Sequence, residues 1–234
     1  MAAAEGAIAS IIEATGSGKA AARLVAPTGP AQNEGMMRGM VRVVLIGDSI
    51  RQGYQDVVAQ ELATEAQVWG PKENGGTSAN VLAHLDDWVI QRKPEIMHLN
   101  CGLHDLRTDR VSKEKAVALA QYADNIARIF GRIQRETDAT LIWASTTPVN
   151  EKWHAREKPF DRHEADVAAY NRAARAVAER MAVPVNDLFE VVMRAGRDRL
   201  LSPDGVHFTK EGSALLGKEV AAAIRTRLRS SRAV

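Results

Sequence analysis

A serine, an aspartate and a histidine at widely separated positions are the side chains of this sequence best suited to chemistry. Ser49 ends the tripeptide Gly47-Asp48-Ser49, and Asp204 and His207 stand three residues apart near the other end of the chain. A carboxylate within one turn of an imidazole can hydrogen-bond to it and fix its tautomer, so that the second ring nitrogen faces a nucleophile. Together these residue types predict nucleophilic catalysis by a serine hydroxyl.

Each of these short motifs also has a purely structural interpretation. Ser49 could cap the amino terminus of the helix that follows it, and the pair Asp204 and His207 could cap a helix beginning near Thr209. Either motif occurs by chance, so neither predicts catalysis alone. Their combination favours the catalytic interpretation.

The elements that must position these residues alternate between strands and helices. The apolar run at residues 41–46 predicts a short, largely buried strand. Further strands are predicted at residues 67–69, 95–100, 140–145 and 184–186. Helices are predicted at residues 55–66, 81–89, 113–136, 166–181 and 188–194, and from 209 onward. This alternation predicts an α/β fold of three layers (α/β/α), a single domain whose parallel sheet of about five strands is covered on both faces.

Polar and glycine-rich loops follow three of the predicted strands. Ser49 follows the first strand, Gly75-Gly76 the second, and Gly102-Leu-His-Asp105 the third. Open α/β sheets bind their ligands at the carboxyl ends of the strands. We therefore expect these three loops to rim one crevice, with Gly47 allowing the sharp turn that keeps the approach to Ser49 clear.

These segments resemble the conserved blocks of the SGNH hydrolase superfamily, whose GDSL-type esterases and lipases have a flavodoxin-like sheet. The resemblance covers about residues 41 to 226. It implies that Ser49 is the nucleophile, His207 the base and Asp204 the partner of that base. It also implies oxyanion-hole donors from the backbone N–H of Ser49 and of Gly75, with Gly76 as the neighbouring possibility.

The third block departs from the family pattern. The family usually has Gly-x-Asn-Asp, whereas this chain has Gly102-Leu-His-Asp105, so His104 occupies the position of the asparagine donor. A neutral imidazole supplies one N–H donor and a charged one supplies two, so the donor here depends on tautomer and pH. A hydrogen-bonded structural role for His104 and a donor role for Asn100 are the alternatives. Asp105 is expected to support this loop.

Two further residues are candidates for substrate contact. Arg51, two positions after Ser49, could bind an anionic group of the substrate or simply pair with a nearby carboxylate. Trp153 lies in a charged segment with His154, Phe160 and His163, which is either a contact for the substrate or plain surface.

Composition limits the remaining possibilities. The chain has 31 basic and 29 acidic residues in 234, a net charge of +2, which does not indicate nucleic acid or an anionic membrane as partner. Cys101 is the only cysteine, so no internal disulfide can form, and it is expected to be a small buried filler. No apolar run reaches the ~18 residues of a membrane span. No metal-ligand cluster or nucleotide fingerprint is found, so no cofactor is predicted.

The amino-terminal 40 residues differ from the rest. They are rich in Ala and Gly and lack the pattern of a signal peptide, so residues 1–40 are expected to be a flexible tail or a remnant of recombinant expression. Residues 41–234 are then the SGNH-type hydrolase domain. On this basis the protein is expected in the cytoplasm. The sequence does not indicate its oligomeric state.

The function expected from these residues and from the resemblance is that of a serine esterase. Short acyl esters, above all acetyl groups on carbohydrates, are the expected substrates, because the chain resembles deacetylating members and lacks a long apolar lid. The alternatives are a lipase, thioesterase or lysophospholipase for longer acyl chains, a sugar O-acetyltransferase, and a non-catalytic binding module on the same fold.

Overall fold

A computed structural model describes residues 39–231 of the chain, with side chains up to residue 229. All but the last two residues of the predicted tail at 1–40 therefore lie outside the described residues. The first element, strand β1, begins at Val41. The predicted boundary between tail and domain at residue 41 stays a prediction.

Five parallel strands form the central sheet, in the order β2-β1-β3-β5-β7. The strands are β1 (Val41–Gly47), β2 (Ala66–Trp69), β3 (Ile96–Asn100), β5 (Thr140–Ala144) and β7 (Val185–Asn186). The chain leaves β1 for β2 on one side and then returns to the other side as β3. A crevice opens at such a switch point beyond the carboxyl ends of the strands. The predicted α/β fold, with about five parallel strands in a single domain, is confirmed.

Helices cover the sheet in two groups. Helix α1 packs against α9, while α4 packs against both α2 and α6. The helices are α1 (Ser49–Glu61), α2 (Ser78–Ala83), α3 (Leu85–Trp88), α4 (Leu119–Glu136), α5 (Glu151–Glu157), α6 (Glu164–Arg180), α7 (Leu188–Ala195), α8 (Arg197–Leu200) and α9 (Lys210–Ser231). The apolar core lies between these helices and the sheet, and the inner strands β1 and β3 are almost completely buried.

Three predicted helices were wrong in their extent. The helix at 55–66 begins earlier, at Ser49, and ends at Glu61, because residues 62–65 form the turn into β2. The helix at 81–89 is broken at His84, whose φ of −103° and ψ of 11° depart from helical values while its ring stacks on Trp88. The helix at 113–136 begins only at Leu119, because Lys113 has a φ of 61° and Lys115 bridges to Thr108.

A second, two-stranded sheet lies outside the central one, and the sequence did not predict it. Strands β4 (Thr108–Asp109) and β6 (Phe160–Asp161) pair antiparallel, with Thr108 opposite Asp161 and Asp109 opposite Phe160. This small sheet ties the loop after β3 to the segment that follows α5. It therefore holds two of the loops near the crevice against each other.

Candidate active site

The end of β1 presents Ser49 through a sharp turn. Val43 to Ile46 are at most 2% exposed, so the strand is fixed in the core. Gly47 follows it in a place where a Cβ atom would lie 2.6 Å from the Asn100 carbonyl oxygen. Only glycine fits so close to the neighbouring strand. The chain can then turn at once into α1, with Ser49 as its first residue.

Asp48, not Ser49, caps helix α1. The Asp48 carboxylate accepts a hydrogen bond from the Ile50 N–H at 2.9 Å, and its backbone is extended, as expected of an N-cap. The interpretation of Ser49 as the N-cap is therefore wrong. Its hydroxyl remains available for another partner. Its own amide belongs to the first turn of α1, where N–H groups have no intrahelical acceptor.

The partner of the serine hydroxyl is His207, 158 residues away in the sequence. The Ser49 Oγ and His207 Nε2 atoms are 2.8 Å apart. On the other side of the ring, His207 Nδ1 makes a short hydrogen bond to Asp204 Oδ2. The structure thus brings the three predicted residues into one hydrogen-bonded chain of hydroxyl, imidazole and carboxylate.

Local geometry fixes the His207 loop before any substrate binds. Asp204 Oδ1 accepts hydrogen bonds from the Val206 and His207 N–H groups, both at 3.0 Å, and Gly205 adopts the φ of 72° that the turn requires. The helix that follows is capped by Thr209, whose hydroxyl accepts from the Gly212 N–H at 3.2 Å. The interpretation of the pair Asp204 and His207 as a helix cap is therefore wrong.

The carboxylate of Asp204 is held in its charged form. Partial burial acts to raise its pKa, but the hydrogen bonds from the His207 side chain and from the Val206 and His207 amides outweigh it, so the pKa lies below its usual value. A charged Asp204 keeps the proton of the neutral imidazole on Nδ1. Nε2 is then free to accept the proton of the serine.

The glycine loop after β2 is bound to the end of β1. The Gly75 N–H donates to the Gly47 carbonyl at 3.0 Å, and the Gly76 N–H donates to Asn74 Oδ1 at 2.8 Å. The amides of Gly75 and of its alternative Gly76 are therefore both engaged within the protein. An oxyanion that approached Gly75 would have to replace the Gly47 carbonyl as acceptor.

The loop after β3 places His104 near Asp48 and His207. Its ring interacts electrostatically with Asp48 and His207 and has no hydrogen-bond partner among the described residues. Burial lowers its pKa more than the Asp48 carboxylate raises it, and Arg162 and Arg107 lower it further. His104 is thus neutral near pH 7 and offers a single N–H donor.

Two neighbours of His104 have structural partners instead. The Asn100 side chain donates to the Ser145 carbonyl at 3.0 Å, so its amide is directed into the sheet. Asp105 accepts from both the backbone N–H and the hydroxyl of Ser78, which ties the loop after β3 to the start of α2. Burial raises the pKa of Asp105 to about 6 against these hydrogen bonds.

Arg51 and Trp153 are the two residues predicted as candidates for substrate contact. Arg51 is buried and donates to the Gln55 side chain at 2.6 Å and to the Glu73 carbonyl at 3.0 Å. Its acceptors are therefore a side-chain amide and a backbone carbonyl, whereas the sequence analysis expected an anionic group of the substrate or a nearby carboxylate. Trp153 borders the His207 loop and lines a cavity of about 390 Å³ together with Leu201 and Pro203.

The sequence analysis missed or left open the roles of four further residues. Arg162 is buried and donates from Nε to the Leu103 carbonyl at 2.7 Å, and Phe160 lies beneath it. His154 is buried near Asp204, with its pKa lowered to about 4 mainly by burial. His163 instead pairs with Glu151 at the surface. Arg162 directly follows β6, and β4 and β6 are only two residues long, too short for a periodic signal in the sequence.

Within residues 39–231 no group of three or more His, Cys, Asp or Glu side chains is arranged to hold a metal ion. The helices of that same range include none with the length and apolar character needed to cross a bilayer.

Comparisons with known proteins place this geometry in a recognised group. The model of the GDSL-like lipase/acylhydrolase family matches residues 45–215. A comparison with curated proteins gave no match.

Several solved structures share the fold. A lipase/acylhydrolase from Enterococcus faecalis has a TM-score of 0.69 at 25% identity, over 80% of this chain and 97% of its own. An acetyl xylan esterase has a TM-score of 0.65 at 16% identity, over 79% and 100%. A GDSL-like lipase from Bacteroides thetaiotaomicron has a TM-score of 0.65 at 22% identity, over 84% and 95%.

Proposed function

The chain belongs to the GDSL-like lipase/acylhydrolase family, and from this premise we propose that it is a serine esterase acting on short-chain acyl esters. Acetyl groups on carbohydrates are the proposed substrates. The observation that carries the proposal is the 2.8 Å contact between Ser49 Oγ and His207 Nε2, continued from His207 Nδ1 to Asp204.

In the first half of the proposed reaction, Ser49 Oγ attacks the ester carbonyl carbon while His207 Nε2 takes the hydroxyl proton. The charge that forms on the imidazole is stabilised by Asp204, whose hydrogen bonds to the loop amides hold it in place. His207 then gives the proton to the departing alcohol oxygen as the carbon–oxygen bond breaks. The acyl group remains on Ser49.

Negative charge on the carbonyl oxygen needs donors that are already aimed at it. The proposed donors are the Ser49 amide, the His104 ring and the Gly75 amide. The Ser49 amide lies at the amino terminus of α1, where the helix dipole also favours negative charge. The Gly75 amide joins them by exchanging the Gly47 carbonyl for the oxyanion.

In the second half, water replaces the alcohol. His207 removes a proton from the water as its oxygen attacks the acyl carbon, and returns that proton to Ser49 Oγ as the acid leaves. An acyltransferase would use the same residues with a sugar hydroxyl in place of water.

The preference for short acyl chains has two supports. The chain resembles deacetylating members of its superfamily, and one structural neighbour is an acetyl xylan esterase. Large apolar side chains that are well exposed are few among the described residues: Val111, Leu119 and Met193. None of them adjoins a residue of the proposed triad in the sequence.

The direct test is hydrolysis of p-nitrophenyl acetate by the wild type and by Ser49→Ala. We expect kcat to fall by at least about 10³-fold in the variant, because the nucleophile is lost. Ser213→Ala, which removes a hydroxyl from helix α9, is the matched control and should keep wild-type kcat. Equal rates for wild type and Ser49→Ala would contradict the esterase and favour a binding module.

Acyl preference is measured on the same enzyme with p-nitrophenyl acetate, butyrate and octanoate. We expect kcat/KM to fall as the chain lengthens. A rise toward octanoate would replace the acetylesterase by a lipase or thioesterase. Transfer of acetyl to an added sugar faster than to water would identify an acyltransferase.

A further inference from the structure

The segment that carries His104 is attached at both of its ends to one other segment of the chain. At its far end, strand β4 pairs with β6 in the small antiparallel sheet. At its near end, Arg162, which directly follows β6, donates from Nε to the Leu103 carbonyl at 2.7 Å. Residues 103–109 therefore run between two contacts with residues 160–162, and His104 stands next to the first of these contacts.

The contact at Leu103 acts on His104 through a single peptide group. The Leu103 carbonyl and the His104 N–H belong to the same planar peptide bond, so a partner that fixes the carbonyl also fixes the orientation of the backbone at His104. The Leu106 N–H donates to the Gly102 carbonyl at 3.0 Å and closes the turn. The His104 ring has no hydrogen-bond partner of its own among the described residues. Its position is therefore set by the backbone that carries it.

Arg162 is a costly residue for a contact that a neutral donor could make. It is 7% exposed, and it forms no salt bridge with another described residue. Its terminal nitrogens have no acceptor among the described residues either, and its guanidinium lies 5.0 Å from the centre of the Phe160 ring. Burial lowers the pKa of Arg162 to about 10, so the side chain is still charged at neutral pH. A buried charge without an ion pair is destabilising, which points to a task other than folding.

Charge compensation and a specific hydrogen bond are the two tasks that fit Arg162. Its electrostatic neighbours include the carboxylates of Asp48 and Asp204. Both of these already accept hydrogen bonds from backbone amides, and neither is hydrogen-bonded to Arg162. The hydrogen bond that Arg162 does make goes to Leu103. The direct contact is thus with the loop of His104 and not with a carboxylate.

We propose that Arg162 is a positioning residue of the oxyanion hole, because its hydrogen bond to the Leu103 carbonyl holds the loop in which the His104 ring is presented to the oxyanion. The inference rests on the proposed esterase function and adds to it a residue that touches neither the substrate nor the reacting atoms. The charge on the carbonyl oxygen develops only as the reaction proceeds. Loss of the contact should therefore lower kcat and leave KM unchanged.

Three variants of Arg162 separate the hydrogen bond from the charge. Arg162→Met keeps the side chain as long as Nε but removes both the donor and the charge. Arg162→Gln carries an uncharged N–H donor at the position of Nε, whereas Arg162→Lys keeps the charge with its nitrogen one atom further out. For p-nitrophenyl acetate we expect kcat to fall at least about tenfold in Arg162→Met, with KM unchanged. Arg162→Gln should recover most of that loss, and Arg162→Lys less of it.

A double-mutant cycle tests whether Arg162 acts through His104. In the His104→Ala background the oxyanion donor is already lost, so adding Arg162→Met should change kcat by less than about twofold. Arg128→Gln, which removes an exposed charge from α4, is the control and should keep wild-type kcat. An equal loss of kcat on adding Arg162→Met with and without His104 would overturn the proposal. A higher kcat in Arg162→Lys than in Arg162→Gln would also overturn it, in favour of charge compensation.

Amide hydrogen exchange tests the loop contact without any turnover. The probe is the Leu106 N–H, which we expect to exchange at least about tenfold faster in Arg162→Met than in the wild type, and close to the wild-type rate in Arg162→Gln. The amide of Ile129 in α4 should exchange equally in all three proteins, which excludes a general loss of stability. Unchanged exchange of Leu106 in Arg162→Met would overturn the proposal whether or not the protein hydrolyses an ester.

The two measurements together separate this inference from the proposed function. Ser49-dependent hydrolysis of p-nitrophenyl acetate that is insensitive to Arg162→Met would keep the esterase and end the inference. Faster exchange of Leu106 in Arg162→Met, with equal hydrolysis by wild type and Ser49→Ala, would keep Arg162 as the residue that holds the loop and end the esterase.

Discussion

The two sides of the crevice differ in how far they are assembled without substrate. On the acid–base side, Ser49, His207 and Asp204 already form a continuous hydrogen-bonded chain. On the proposed oxyanion side, the Gly75 amide donates to the Gly47 carbonyl, and the His104 ring has no hydrogen-bond partner among the described residues. Both sides are proposed to act at Ser49, yet only one has its hydrogen bonds in place.

The difference follows from what each side is made of. A hydroxyl, an imidazole and a carboxylate alternate donors with acceptors, so they can satisfy one another before a substrate arrives. An oxyanion hole is a cluster of donors, and donors cannot satisfy one another. In the free protein each donor either bonds to another acceptor of the protein, as the Gly75 amide does, or has no protein acceptor, as is the case for the His104 ring. The geometry of the proposed triad is therefore already present in the free protein, whereas that of the proposed oxyanion hole is present only in part.

Two buried carboxyl groups show the same contrast. Burial acts to raise the pKa of both Asp204 and Asp105. For Asp204 the hydrogen bonds to the imidazole and the loop amides outweigh burial, and the pKa is lowered. For Asp105, which clamps the oxyanion side through Ser78, burial prevails and the pKa rises to about 6. One side of the crevice thus holds the charged carboxylate of Asp204, and the other holds the carboxyl of Asp105, which takes up a proton at a higher pH.

The largest expected effect is on the acid–base side. Asp204→Asn keeps an oxygen for the Val206 and His207 amides, so the loop should keep its shape. An amide facing Nδ1 forces the ring proton onto Nε2, which can then no longer accept the proton of Ser49. We expect kcat for p-nitrophenyl acetate to fall about 10⁴-fold near pH 7.

Asp198→Asn is the matched control, since Asp198 pairs with Arg197 at the surface. Its kcat should equal that of the wild type. If Asp204→Asn retained kcat within tenfold, the acid–base side would not be the preorganised half that its geometry indicates.

A smaller loss is expected on the oxyanion side. His104→Ala removes one proposed donor, which typically costs ~10²–10³ in kcat, or about 3–4 kcal/mol. His104→Asn supplies an amide donor at the same position and should recover most of that loss. Comparing kcat for the two variants shows whether His104 acts as a hydrogen-bond donor or only fills space.

His163→Ala is the control, because His163 pairs with Glu151 outside the crevice. Wild-type kcat in His104→Ala would remove His104 from the oxyanion hole. Loss in both His104 variants, with Tm lowered equally, would show that the ring is needed for the fold instead.

The fold and the proximity of Ser49 to His207 could both be predicted from the sequence, for a physical reason. Alternating apolar strands and helices permit few topologies, and parallel strands place their carboxyl ends at one edge. A glycine, an aspartate and a serine after the first strand therefore had to face that edge. The approach of Ser49 to a histidine 158 positions later follows from topology together with the resemblance.

What the sequence did not reveal depends on non-local or single-residue geometry. The pairing of β4 with β6 joins strands of two residues, which are too short to give a periodic signal in the sequence. The helix predicted from residue 113 was wrong because one residue, Lys113, adopts a left-handed φ. That Asp48 rather than Ser49 caps α1 was also not readable, since both residue types favour that position.

The smallest expected effect concerns the Asp105 clamp and the pH dependence of folding. The pKa of Asp105 rises from 3.8 unfolded to about 6 folded, so between these values the folded protein binds more protons than the unfolded chain. Stability from this group is therefore fully present below about pH 4 and is lost as pH rises through 6. The full shift corresponds to about 3 kcal/mol. Asp105→Asn removes this titration but retains an acceptor for the Ser78 amide.

The measurement is urea unfolding of the wild type and Asp105→Asn at pH 4 and pH 7. The variant should be the less stable protein at pH 4, because the wild type then holds a neutral, hydrogen-bonded acid. Between pH 4 and pH 7 the difference should change by about 2 kcal/mol in favour of the variant, since only the wild type buries a charge at pH 7. Asp56→Asn, at an exposed position of α1, should show the same difference from wild type at both pH values. If the stability difference between wild type and Asp105→Asn were the same at both pH values, folding would not raise the pKa of Asp105. The contrast between the two sides of the crevice would then rest on their hydrogen-bond donors alone.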